Sequence, residues 1–131
     1  MQDEPGPAEL TKAVADFLRE EIAPLVSGQS AFKLRVATNM LELVTRQLTL
    51  AAASDAAEAE RLQGLLAESG SLRELNRALA DKIANGELDL NTPGLAEHLW
   101  ATTFAKLAVD QPTYAAYRRE LERSQAKTTT S

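Results

Sequence analysis

Arg35, Asn39, Glu42 and Arg46 follow one another at spacings of four, three and four. On a helix that rhythm lines one narrow stripe, all four positions falling within about 60° of each other. A guanidinium holds a carboxylate or phosphate with two parallel hydrogen bonds, and an asparagine offers both a donor and an acceptor. The stripe therefore has the groups needed to bind an anion or an acidic partner. The same four residues read equally as the solvated face of a helix, with Glu42 paired to Arg46 and Arg35 free. Residues 26–50 carry Lys33, Arg35 and Arg46 against Glu42 alone, so the stripe lies in the most basic stretch of an acidic chain.

Lys106 and Asp110 form a second candidate, four apart and just ahead of Gln111-Pro112. As a local feature they make an i,i+4 pair, with Asp110 capping the helix that Pro112 opens. Lysine ahead of aspartate is the weaker order for supporting a helix, which favours a tertiary partner for one of them. If the helices carrying them are neighbours, Lys106 joins Arg35 and Asn39 in one polar cluster. A further reading makes Lys106 and Asp110 an acid/base pair.

Other chemistry finds little footing. The chain has no cysteine, which excludes disulfides, thiolate metal sites and a cysteine nucleophile. His98 is the one histidine, and its neighbour Glu97 points about 100° away on a helix, so the two cannot grip one metal. His98 is expected at the surface or its boundary. No phosphate-loop pattern occurs, and Glu20-Glu21 and Glu58 with Glu60 are expected to face solvent. No catalytic residue, metal or cofactor is assigned, and the protein is expected not to be an enzyme.

The 131 residues fit one domain, and 14 Lys plus Arg against 19 Asp plus Glu give a net charge of −5. That balance argues against nucleic acid as a partner, because such binding neutralises phosphates with cations. The opening Met1-Gln2-Asp3-Glu4 is acidic, with no apolar signal region, and no run approaches a membrane span. A cytoplasmic location is the expectation. Alanine and leucine make up about a third of the chain, while valine and isoleucine number seven. Such a bias favours helices over strands.

The pattern predicts an all-α fold: a single compact bundle of about five or six helices over residues 6–125, with 126–131 a disordered tail. The first helix begins near Pro7 and carries Leu10, Val14, Phe17, Leu18, Ile22 and Leu25 before Pro24 and Gly28 end it. The second, from about Ser30 to Ala52, is apolar over more than half its circumference through Phe32, Val36, Met40, Leu43, Val44 and Leu48, so it is expected at the centre. Asp55 with Glu58 suggests a capping box for a third helix burying Leu62, Leu65 and Leu66 up to Gly70. Ser71 with Glu74 repeats the signature for a fourth, with Leu72, Leu75, Leu79 and Ile83 inward and Gly86 as its stop. Thr92-Pro93 opens a fifth, with Leu95, Leu99, Trp100, Phe104, Leu107 and Ala108 inward, and Tyr114, Tyr117 and Leu121 mark a last short helix.

Four stretches carry a family resemblance: Asp3-Glu4-Pro5 through Phe17-Leu18, Ala31 to Asn39, Gly86-Glu87-Leu88-Asp89-Leu90, and Lys106-Leu107-Ala108-Val109-Asp110-Gln111-Pro112. Together, over about residues 3 to 118, they resemble a bacterial family of small helical proteins of unknown function. Its members accompany aminoglycoside-phosphotransferase-like kinases, often near acyl-CoA dehydrogenases. The resemblance pairs an Arg and Asn like Arg35 and Asn39 with a Lys, Asp and Pro like Lys106, Asp110 and Pro112, and brings no catalytic role. It implies an accessory protein for such a kinase or acyl-CoA pathway enzyme. An amphipathic Ala/Leu-rich chain without a catalytic constellation is in turn expected to dock on such a partner or on a second copy of itself, two-fold pairs being the commonest oligomers. The alternative is a binder of a phosphate- or carboxylate-bearing small molecule, such as an acyl-CoA.

Overall fold

The computed structural model describes residues 4–129, with the side chains of residues 128 and 129 left aside. It is all-helical: α1 (Pro7–Phe17), α2 (Gly28–Leu66), α3 (Leu72–Ala84), α4 (Leu95–Asp110) and α5 (Ala115–Thr129), with no strand among the described residues. A π-helical turn (Leu18–Ile22) and a 3₁₀ turn (Ala23–Leu25) follow α1. No described helix is long and apolar enough to cross a membrane. The contacts divide the chain into two units, Met1–Ala51 and Ala52–Ser131.

The helix count meets the expectation, but the expected second and third helices are one, running unbroken from Gly28 to Leu66. Ser54 and Asp55 sit mid-helix because alanines at 51–53, 56, 57 and 59 surround them, and a continuous helix avoids the cost of a second nucleus. The Asp55/Glu58 capping box therefore does not form. The tail expected to be disordered from residue 126 is helical as far as Thr129, and residues 130 and 131 lie outside the described part.

In the first unit, α1 and the leading stretch of α2 form an antiparallel hairpin. Residues that increase along α1 meet residues that decrease along α2: Thr11 with Thr45, then Arg19 with Glu42 and Asn39. Pro7 starts α1 as its first residue, and the Glu9 carboxylate accepts the Gly6 N–H at 2.8 Å. The seam is lean. Among the described residues of this unit, Ala15 is the one buried apolar residue and Thr38 the one buried polar residue. Phe32, Met40, Leu43, Val44 and Leu48, which a central position for this helix would cover, are exposed instead.

The second unit has a conventional core. Leu62 and Leu66 of α2, Leu75 and Leu79 of α3 and Leu95 of α4 form one buried cluster, with Leu65, Leu72, Ala78 and Leu88 packed against it. The Ser71/Glu74 capping box forms as the sequence predicts: the Ser71 N–H donates to the Glu74 carboxylate at 2.8 Å, and the Glu74 N–H to the Ser71 hydroxyl at 3.3 Å. The Ser71 hydroxyl, donating to the same carboxylate at 2.7 Å, and then the Ser71 N–H hold the Glu74 carboxyl below the usual carboxylate range. The chain leaves α3 through Gly86 at φ 75, where the N–H groups of Glu87 and Leu88 reach back to the Lys82 carbonyl.

Candidate functional site

The inward face of α4 is not the one the apolar pattern picks out. Leu95, His98 and Val109 are buried, whereas Leu99 is 39% and Trp100 60% exposed. A helix apolar nearly all round does not announce which side turns inward. Here the side carrying Leu95, His98, Thr102 and Val109 does, and Trp100, Phe104 and Leu107 are released to line an open groove instead.

That groove lies between α4 and α5. Trp100, Thr103, Phe104, Leu107, Tyr114 and Tyr117 line most of a cleft of about 260 Å³. Four of the chain's six aromatic residues meet there. The Trp100 and Phe104 rings stack at 6.4 Å and 26°, and Phe104 meets Tyr117 at 4.5 Å and 46°, both within the range of favourable aromatic pairing. Tyr117 is buried, Tyr114 and Trp100 stand open, and Glu120 is the one charged residue on the wall. Trp100 and Phe104, four apart on α4, meet Tyr117 of α5 and Tyr114 just ahead of that helix, and Pro112 supplies the break between the helices.

A buried polar group sits elsewhere in this unit. Glu58, expected at the surface, is buried and accepts a 2.7 Å hydrogen bond from Asn76 Nδ2. It lies one turn before Leu62 on the same face of α2, which carries it inward with the leucines. His98, also expected at the surface, is 2% exposed. Burial lowers its pKa, the nearby Arg61 lowers it further, and Glu58 opposes them. Among the described residues His98 Nδ1, Arg61 Nε and Thr102 Oγ1 are buried without a hydrogen-bond partner. The open side of this region is a shallow groove of about 300 Å³ lined by Arg61, Gly64, Leu65, Gly94, Glu97 and His98. No group of three or more metal-ligating residues occurs among the described residues.

The six residues singled out by spacing divide between the units: Arg35, Asn39, Glu42 and Arg46 fall in the first, Lys106 and Asp110 in the second. Glu42 is engaged by a residue the pattern did not include. Arg19 Nε and Nη2 donate to its Oε1 at 3.0 and 2.7 Å, and Nη2 reaches Asn39 Oδ1 at 3.4 Å. Arg35 sets its guanidinium 5.5 Å above the Phe32 ring and, with Arg19, lines a cleft of about 240 Å³. Arg46 is half-buried. Lys106 and Asp110 are both exposed, and neither forms an ion pair among the described residues.

The model of the family described as a domain of unknown function, DUF6285, matches residues 24–114. The chain belongs to this family. The DUF6285 match takes in all of α2, α3 and α4 and the basic stripe, Lys106 and Asp110 with them. No curated protein and no solved structure matches significantly.

Proposed function

We propose that this DUF6285 protein is a non-catalytic interaction protein, and that the aromatic groove of α4 and α5 seats an apolar side chain of its partner. The observation that carries the reading is the half-open stack of Trp100, Phe104 and Tyr117 with Tyr114 beside it. Large aromatics held in place by packing give contact area at little entropic cost, and tryptophan and tyrosine dominate binding energy at interfaces. The groove is too small for most ligand sites, which run from about 300 Å³ upward, but suits one or two inserted side chains. Its walls hold no nucleophile–base pair. The family resemblance drawn from the sequence makes the partner an aminoglycoside-phosphotransferase-like kinase or an acyl-CoA dehydrogenase.

Co-expression of the full chain with such a kinase or dehydrogenase tests this. A complex is expected, and Trp100→Ala should weaken it by about 30-fold, the penalty for truncating a central aromatic anchor. Absence of any complex with either enzyme class, or a complex indifferent to Trp100→Ala, overturns the reading.

A second reading, binding of a phosphate- or carboxylate-bearing small molecule such as an acyl-CoA, is favoured by the cleft between Arg19 and Arg35. It requires coenzyme A or inorganic phosphate to raise the melting temperature, and Arg35→Ala to remove the rise. No rise at millimolar ligand dismisses it.

A further inference from the structure

The first unit carries an apolar row that stays largely exposed, with the Arg35 guanidinium over the Phe32 ring at one end. Phe32, Val36, Met40, Val44 and Leu48 recur every fourth residue along α2. At about 100° per residue they form one oblique ridge, turned well away from the side where Thr38 is buried and Thr45 meets Thr11 of α1. Phe32 is 57%, Met40 63%, Val44 43% and Leu48 48% exposed, and Val36 is half-buried. Beneath the ridge the unit buries almost no apolar side chain, so its own interior does not hold the hairpin firmly.

The ridge reads the same in both directions. About Met40, Phe32 mirrors Leu48 and Val36 mirrors Val44. A two-fold axis there sets position 40 + n of one copy against 40 − n of the other, so apolar side chains meet apolar side chains along the whole row. We propose that the protein pairs with a second copy of itself through this face, with the two-fold axis at Met40.

Two copies related by this axis run antiparallel across the exposed face. In that pairing Phe32 lies against the partner's Leu48, Val36 against the partner's Val44, and the two Met40 side chains meet at the centre. The flanking charges fit. Lys33 comes opposite Gln47, Arg35 opposite Thr45, Glu42 opposite Thr38 and Arg46 opposite Leu34, so no like charges face each other. With Leu43 the exposed parts of the ridge amount to on the order of 500 Å² per copy, and a pair reaches the roughly 1,000 Å² at which specific interfaces begin. Self-pairing rests on the first unit alone and is independent of the aromatic groove.

Because the chain has no cysteine, one introduced thiol reports one position. Sedimentation equilibrium of the full chain should give a dimer at micromolar concentration, and Met40→Glu should weaken it at least 100-fold with helical content unchanged. Met40→Cys should form an intermolecular disulfide within minutes under mild oxidation. Thr49→Cys should not, because its two copies would lie about 27 Å apart along the helices. A wild-type chain that stays monomeric at 100 µM, a dimer that survives Met40→Glu, or Thr49→Cys cross-linking as fast as Met40→Cys each overturns the proposal. Should Met40→Glu fail to fold, the two cysteine variants still decide it.

Discussion

The two units spend the same kind of sequence differently. Residues 52–131 turn five leucines from three helices into one buried cluster. Residues 1–51 are as rich in apolar side chains, yet leave Leu10, Val14, Phe17, Phe32, Met40, Val44 and Leu48 exposed and bury Ala15. Hydrophobic burial is the main term favouring a fold, and it scales with area removed from water. One unit therefore has its driving force inside, whereas the other keeps most of its own in reserve on the surface. The difference teaches that an amphipathic pattern reports how much apolar surface must be covered, not which molecule covers it.

The largest test of that contrast is truncation within each unit. Leu62→Ala removes a fully buried side chain and should destabilise the second unit by about 3 kcal/mol, as such core truncations do. Phe32→Ala removes a larger side chain that is more than half exposed, and in a monomeric background should cost under about 1 kcal/mol. Urea unfolding followed by fluorescence of Trp100, the sole tryptophan, reports the second unit, and amide hydrogen exchange reports the first. Equal losses would erase the distinction between a cored and a coreless unit.

A smaller effect separates the units by pH. His98 is buried with a lowered pKa, so between its folded value and about 6.5 the unfolded chain binds more protons than the folded one. Stability of the second unit is therefore full above that range and falls as pH drops through it. His98→Phe should flatten this slope in Trp100-detected unfolding between pH 7 and 5. The Glu74 cap contributes its own loss lower down, in the carboxylate range, and should remain. A slope unchanged by His98→Phe would place the proton uptake elsewhere.

What the sequence made legible follows from how local each signal is. Pro7 opening α1 and the Ser71/Glu74 box opening α3 rest on neighbours within one turn, and both appear as read. The Asp55/Glu58 box has the same letters but lies within an alanine-rich helix, where tolerance of aspartate outweighs the capping gain. Faces were harder to read. On α4 the row Leu95, His98, Thr102, Val109 is less apolar than the row containing Leu99, Trp100 and Phe104, yet it is the one turned inward. The three-residue step from Leu95 to His98 was the available clue, but a polar histidine argued against it. Of the candidate site, the spacing of Arg35, Asn39, Glu42 and Arg46 on one stripe was readable. Arg19 was not, because its approach to Glu42 spans 23 residues and depends on the turn between α1 and α2.

The smallest test concerns the joint where α2 ends. Ala67 follows Leu66 with φ 53, in the left-handed region that costs a side-chain-bearing residue about 1 kcal/mol and glycine almost nothing. Glycine at this position relaxes the backbone but also gains freedom in the unfolded chain, and the two effects oppose each other. With φ already positive the relief should win, so Ala67→Gly is expected to stabilise the second unit by about 0.5–1 kcal/mol. The measurement is again Trp100-detected urea unfolding, with hydrogen exchange in residues 28–51 unchanged. Gly64, three residues earlier in the last turn of α2 and with open space around it, provides the opposite control. Gly64→Ala should stabilise by a similar amount through helix propensity, because there the φ is helical and the added methyl meets nothing. If Ala67→Gly destabilised instead, the end of α2 would be held by the contacts of the Ala67 methyl rather than by its backbone, and the second unit's core would extend past Leu66.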